Sequence, residues 1–377
     1  MRIGLDIRPF LREETGVGIY FKNLLFYLSN IDEENEYYLF SSSFKERFSP
    51  ENIPQFKRMH FRDFKFPVKA VNFFWRRFCW PPLDKFFNVS LDLTHSPNPL
   101  ILPTKGKKVI TVHDLFFMDF PYSVDRETRK SFNRLIESSL HRADGVVAVS
   151  RHTRHRLLER FSLDKKKVKV IYHGIDPDFW ENVSSFELKK IKTNYHLPSY
   201  FLLFVGAMEE RKNLINLLQA LKIIHGSYKK VPLVIAGPKG HGYKKMLEKI
   251  DELGIESWVF FTGYLEKQQL RGLYRLASLF VFPSLCEGFG LPLLEAMASG
   301  LPIVSSERPA LPEVAAEGAL YFKPEEPKDI AEKIILALKD ENLRRKLIAR
   351  GKKRACDFSW EKTALETLRF YRAIVNE

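Results

Sequence analysis

Cysteine is scarce. Three residues, Cys79, Cys286 and Cys356, are spread over a chain of 377. So few, odd in number and far apart, they support neither a disulfide framework nor a zinc site, and they fit a reducing cytoplasm. Long apolar runs are missing too. None reaches the roughly 18 residues a membrane-spanning helix needs. The opening MRIGLDIRPF lacks the apolar core of a signal peptide and reads as a first strand. There is no low-complexity tract and no short-period repeat, which excludes fibrous and solenoid classes. A complete G-x-G-x-x-G dinucleotide fingerprint is also absent.

What is present is a globular composition, 45% hydrophobic and 28% charged. At roughly 100–200 residues per domain, this length predicts two domains. The net charge is +14, and it is uneven: residues 1–175 hold 30 Lys and Arg against 20 Asp and Glu, while residues 176–377 hold 30 against 26. A basic balance favours anionic partners such as nucleic acid, acidic lipid or phosphorylated substrates, without choosing among them.

Both halves alternate short β-branched or apolar runs with longer helical patterns. The first half has RIGLDIR, YYLF, SLDLTH, KVITVHD, GVVAVS and VKVIYHGID. The second has YFLLFVG, PLVIAGP, WVFFTGY, LFVFPS, LPIVSS and GALYF. This alternation predicts an α/β chain with two Rossmann-like, doubly wound parallel sheets. The expected boundaries are 1–175, 176–359 and a closing helix over 360–377. In such sheets ligands lie at the carboxyl ends of the strands, so residues directly after each run are the candidates.

Four stretches stand out. In ETGVGIYFKNLL, Gly16 and Gly18 follow the first strand and precede a helix, where backbone N–H groups can approach a phosphate; a flexible loop explains them equally well. In VGAMEERKNL, a strand ends at Gly206, and Arg211 and Lys212 stand at the start of a helix. Cations oppose the dipole there unless an anion docks on the same end; an exposed basic turn is the plainer alternative. His113 follows VITV at a strand end, suited to hydrogen bonding or proton transfer, although a lone His is more often structural. His95 holds a similar but weaker position. In CEGFGLPLLE, Glu287 sits on a loop after a buried strand and Glu295 about one turn inside the next helix. The N–H groups of Gly288, Phe289, Gly290 and Leu291 lie between them. Two acceptors flanking donors suit a hydroxyl-rich ligand bearing phosphate; an ordinary acid complementing the helix dipole explains Glu295 equally well.

These motifs, together with TVHDL, VVAVS, VIYHGID and LYRLASLFVFPSLCEGFGLPLLEAMASGLPIV, resemble the retaining glycosyltransferases of family 4 over nearly the whole chain. The resemblance implies the GT-B architecture, two Rossmann-like domains facing across a cleft. The N-terminal domain would bind the acceptor and the C-terminal domain a nucleotide-sugar, and the last helix, from Trp360, would cross back. It implies catalytic roles for His113 and Glu287. It implies donor binding by Gly16, Gly18, Gly206, Arg211, Lys212, Tyr264, Gly288, Phe289, Gly290, Leu291 and Glu295, with Glu295 on the ribose and Tyr264 on the base. No cofactor and no metal is expected beyond the GDP- or UDP-sugar substrate. GDP-mannose is the first guess, from subgroup resemblance. Where many relatives have Arg after the strand-end glycine, Ala207 stands here, leaving open which basic residue dominates phosphate binding.

The expected acceptor is a saccharide or lipid-linked saccharide. Within residues 61–87, FRDFKFPVKAVNFFWRRFCWPPLDKFF, aromatics interleave with cations. Two accounts stay open: a helix packed on its domain with solvated cations, or a segment lying on an anionic membrane surface. The second would make the protein peripheral on the inner face of the cell membrane. A nucleic-acid partner would explain the charge but leave the glutamate loop without a purpose, and no such motif occurs. A sugar-nucleotide epimerase could share the two-domain shape.

Overall fold

In a computed structural model of the chain, residues 1–11, 16–44, 53–120 and 126–376 are described. The chain forms two compact units. The first comprises Met1–Met118, Asp125–Gly174 and Ser359–Glu377, and the second Asp119–Val124 and Ile175–Phe358.

The first unit holds seven strands: β1 (Arg2–Asp6), β2 (Glu36–Ser42), β3 (Met59–Phe64), β4 (Leu93–Ser96), β5 (Lys107–Val112), β6 (Gly145–Ala148) and β7 (Val168–Val170). They pair in the order β3-β2-β1-β4-β5-β6-β7, all in parallel. Parallel neighbours require crossover connections, and helices on both faces bury the central strands completely. The edge strand β3 is the one not anticipated from sequence. Its residues, MHFRDF, are only partly buried, so it lacks the apolar run that marks the interior strands.

The second unit holds β8 (Leu202–Val205), β9 (Leu233–Ala236), β10 (Val259–Gly263), β11 (Leu279–Phe282), β12 (Ile303–Ser306) and β13 (Ala319–Phe322), in the order β10-β9-β8-β11-β12-β13. All six fall on the runs anticipated from sequence. Strand order reverses between β1 and β4 in one sheet and between β8 and β11 in the other. Loops leaving adjacent strands in opposite directions open a crevice at these points.

The terminal helix, Trp360–Asn376, belongs to the first unit and packs on the helix Gly16–Ile31. Gly174 lies against it so closely that a Cβ there would sit 2.1 Å from the Trp360 nitrogen. Only glycine permits that backbone approach. Among the described residues, no helix is long and apolar enough to cross a membrane.

Candidate functional site

In the second unit, the candidate residues gather at the switch point. After β8 the chain turns through Gly206 and a short 3-10 turn, Glu210–Lys212, into the helix Leu214–Ser227. After β11 it runs through Cys286–Glu287 into the helix Leu291–Ala298. The two loops are tied together. Leu285 N–H donates to the Arg211 carbonyl at 2.8 Å, and the Asn213 amide donates to the carbonyls of Pro283 and Pro324 at 3.1 and 2.7 Å.

This pairing brings the basic residues onto Glu287. Lys212 Nζ donates to Glu287 Oε1 at 2.5 Å. Arg211 Nη1 donates to Glu287 Oε2 at 3.3 Å and to the Cys286 carbonyl at 3.3 Å, while its Nε pairs with Glu209 at 2.7 Å. Lys212 and Glu287 are both buried. Burial pushes the Glu287 carboxyl up, but the charges of Lys212 and Arg211 outweigh it and hold the group below the usual carboxylate range. Burial and neighbouring Arg211 push the Lys212 ammonium down, and the contact with Glu287 sustains its charge. The residues expected to meet a diphosphate thus already neutralise the catalytic candidate. An incoming anion would meet a pre-assembled triad of two cations and one carboxylate, each oriented by the others.

Gly290 has a φ of 104°, opening the helix in a left-handed conformation. Phe289 is buried against Phe358, with ring centroids 5.7 Å apart, so its side chain supports the loop. Pro292 has no N–H and Leu293 N–H donates to the Gly290 carbonyl at 3.0 Å, so the first turn of the helix offers the N–H of Leu291. One turn on, Glu295 Oε2 accepts from the Tyr274 hydroxyl at 2.8 Å. Burial, with a contribution from Asp176, pushes Glu295 up to about 7, and the Tyr274 bond offsets this in part. The two glutamates therefore differ: Glu287 is ionised, and Glu295 titrates near neutrality. Tyr264 follows Gly263 at the end of β10 and is 44% exposed.

The strand-end glycines serve one another. A Cβ on Gly237 would sit 2.2 Å from the Gly206 carbonyl oxygen, so these loops need glycine for packing as well. The sequence does contain one D-x-D tripeptide, Asp176-Pro177-Asp178. Both carboxylates pair with Lys267 Nζ, at 2.9 and 2.7 Å.

In the first unit, Gly16 and Gly18 do not precede the helix as expected. They form the first turn of Gly16–Ile31, with Gly16 exposed and Gly18 buried. A Cβ on Gly16 would meet nothing within 4 Å, so a ligand could approach its backbone. Residues 12–15, just before it, lie outside the described residues.

His113 follows β5. Its Nε2 bonds to the Pro97 carbonyl at 2.9 Å. A carbonyl only accepts, so Nε2 carries the proton and Nδ1 presents a lone pair. The ring stacks on His173, with centroids 5.4 Å apart and planes 18° apart, and meets Tyr20 edge-on at 5.0 Å. His173 also packs on Tyr20 and Trp360, at 4.8 and 5.7 Å. Burial pushes His113 down to about 4, against the pull of the Pro97 carbonyl, and holds His173 well below its usual value. His95 is structural: fully buried, it bonds Tyr371 at 2.5 Å and Thr111 at 2.8 Å, and burial pushes it down to about 3. His173 and Tyr20 went unremarked in the sequence. The single available signal was that VIYHGID, like TVHDL, carries a His at the end of a strand.

Residues 185–354 match glycosyl transferases group 1, and residues 15–179 match glycosyltransferase family 4. The chain is 29% identical over 282 residues to O-antigen chain mannosyltransferase B of Escherichia coli, covering 74% of each. It is 34% identical over 266 residues to the serotype-specific mannosyltransferase WbdA of the same species, covering 68% of this chain but only 32% of that relative. Among solved structures, Anabaena HepE in complex with UDP-glucose superposes with a TM-score of 0.75 at 16% identity, covering 99% of this chain and 100% of that one. The two parallel-sheet domains have the GT-B fold, and the chain belongs to the family 4 glycosyltransferases.

Proposed function

We propose that the protein transfers a hexose, in the first instance mannose from GDP-mannose, to a saccharide or lipid-linked saccharide during cell-envelope polysaccharide synthesis. We further propose that it does so with retention of anomeric configuration and without a metal ion. The choice of mannose draws on the relatives named as mannosyltransferases, one of them an O-antigen chain enzyme. UDP-glucose, bound by the structural neighbour HepE, motivates a UDP-sugar as the alternative donor.

The observation that carries this reading is the triad of Arg211, Lys212 and Glu287 at the β8/β11 switch point. Breaking a sugar–phosphate bond leaves negative charge on the nucleoside diphosphate and positive charge on the sugar. Arg211, Lys212 and the backbone N–H groups between Gly288 and Leu291 would stabilise the leaving group. Glu287, ionised and facing those cations, would bind the sugar hydroxyls and offset the charge developing at the anomeric carbon. Glu295 would accept from the ribose, and Tyr264 would stack on the base. His113, neutral with its Nδ1 lone pair available, would accept a hydrogen bond from a sugar hydroxyl. Front-face attack by the acceptor hydroxyl would preserve configuration.

Acceptor-free hydrolysis of a panel of GDP- and UDP-sugars tests the donor. GDP-mannose turnover is expected to lead, and Glu287→Gln to remove it. Turnover led by a UDP-sugar would replace the donor assignment, and the absence of both hydrolysis and nucleotide-sugar binding would overturn the reading. Proton NMR of the first product formed with a saccharide acceptor reads the anomer, and an inverted one would exclude retention. Membrane attachment through residues 61–87 belongs to the same proposal. The helix Val68–Phe78 turns Val71 and Trp75 inward and leaves Phe73, Phe74 and Phe78 outside. Binding to anionic vesicles that salt reverses is the expected result, and none at low salt would remove this part.

A further inference from the structure

The helix Lys267–Leu276 of the second unit lies outside the two loops of the switch point, yet it reaches one of the candidate glutamates. Its Tyr274 hydroxyl donates to Glu295 Oε2 at 2.8 Å and lies 3.4 Å from the Pro292 carbonyl. We propose that Tyr274 is a positioning residue. It holds Glu295 so that the other carboxylate oxygen, Oε1, binds a ribose hydroxyl, and the pair makes the site select ribonucleoside over deoxyribonucleoside donors. The proposal rests on the assignment of Glu295 to the ribose.

The support is rigid. Tyr274 is fully buried. Burial and the charge of Glu295 push its hydroxyl well above the usual value, so it stays protonated and donates. Its ring meets Phe179 edge-on at 5.9 Å and Phe280 at 5.7 Å. Phe280 lies on β11, the strand that leads into the glutamate loop. Phe179 is fastened to the helix that carries Tyr274: Arg275 Nη2 lies 3.3, 3.1 and 3.0 Å from the carbonyls of Phe179, Trp180 and Glu181. At the start of the same helix, Lys267 pairs with Asp176 and Asp178. The hydroxyl is therefore a fixed point against which Glu295 is set.

The other oxygen is left for a ligand. Among the described residues none donates a hydrogen bond to Glu295 Oε1, and Glu295 keeps part of its surface exposed. A glutamate side chain is flexible, and ordering it on a ligand opposes binding. Here the ordering is completed on folding. A fixed acceptor also discriminates between a sugar that supplies a hydroxyl and one that lacks it. In the second case the carboxylate oxygen stays desolvated and unpaired. A glutamate free to swing towards water would relax that choice.

Calorimetry on the full chain with GDP and UDP, each beside its 2′-deoxy and 3′-deoxy forms, tests this whatever the donor sugar. The wild type should bind the ribonucleotide about tenfold more tightly than the deoxy form lacking the contacted hydroxyl. Tyr274→Phe removes only the hydroxyl and keeps the ring. It should cut that preference by about threefold or more, by weakening the ribonucleotide and leaving the deoxy form bound as before. In donor hydrolysis it should raise KM and leave kcat unchanged. Added to Glu295→Ala, it should change nothing further. The preference is a ratio taken within each variant, so the folded fraction cancels. If Tyr274→Phe does not fold, Phe179→Leu, which removes a ring packed on Tyr274, carries the same ratio. An undiminished preference in Tyr274→Phe, equal weakening of ribo and deoxy forms, or the same loss in the Glu295→Ala background would overturn the positioning role and leave the ribose assignment standing. No preference in the wild type, or a full one in Glu295→Ala, would overturn the ribose assignment and the proposal with it. Binding of neither nucleotide would overturn the nucleotide-sugar reading as a whole.

Discussion

The two units place opposite chemistry on the same scaffold. Each is a doubly wound parallel sheet with its candidate residues just beyond strand ends. In the first unit, His113 is enclosed by His173 and Tyr20, and burial keeps the imidazoles neutral. In the second, Glu287 is also buried, yet two cations keep it ionised. Desolvation is common to both sites, and the partner decides which protonation state survives it.

The largest expected effect comes from breaking the charged side of this contrast. Lys212→Met leaves Glu287 buried with half its counter-charge. Removing one partner of a buried pair typically costs about 3–5 kcal/mol, so the denaturation midpoint should fall steeply and donor hydrolysis should vanish. Adding Glu287→Gln to Lys212→Met should restore most of the stability and none of the activity. Restored activity would mean the pair is only structural.

The neutral side is challenged by acid. His113 and His95, with folded values of about 4 and 3, lie below the ordinary 6.5. A histidine depressed in this way stabilises the fold above its unfolded value, and that contribution is lost as pH falls from about 6.5 towards about 4. The first unit should therefore lose stability over that window, followed by urea titration at each pH. His95→Gln should flatten the dependence. A flat wild-type profile would show that the imidazoles are not withdrawn from water.

A smaller effect tests whether the ring stack positions His113. His173→Ala should lower kcat by about tenfold, the scale of a modest misplacement, with the nucleotide-sugar KM unchanged. His173→Phe, which keeps a ring, should recover much of it. Smallest of all is Glu295→Gln. Because Glu295 titrates at about 7, wild-type affinity for the nucleotide-sugar should rise as pH passes from 6 to 8 and the carboxylate forms, and the variant should show no such slope. Stability runs the other way. A carboxyl raised above its unfolded value favours folding at low pH and loses that contribution as pH climbs through about 7.

The sheets were readable because interior strands are short, apolar and bounded by turn residues. The edge strand β3 was not, since half-buried MHFRDF has no such run. The glutamates of CEGFGLPLLE stood out as charges bracketing an apolar stretch, but their partners did not. Arg211 and Lys212 lie 76 and 75 residues from Glu287, and only the adjacency of β8 and β11 unites them. Tyr274, bonded to Glu295, sits on another helix again. His173 and Tyr20 were hidden because ring stacking leaves no periodic trace in a sequence. The amphipathic segment 61–87 left two accounts open, since composition does not say which rings turn inward. Trp75 does, and Phe73, Phe74 and Phe78 do not.

The terminal helix has a consequence for how the protein is made. Tyr371 bonds His95 beneath the first sheet, Phe370 packs at Gly145, and Trp360 closes on Gly174. The first unit therefore lacks part of its core until residues 360–376 have left the ribosome. The second unit, ending at Phe358, has its whole sequence available earlier. Domains usually mature in the order of synthesis. Here the amino-terminal one is completed later, so a released chain truncated after Phe358 should hold a finished carboxyl-terminal domain beside an unfinished amino-terminal one.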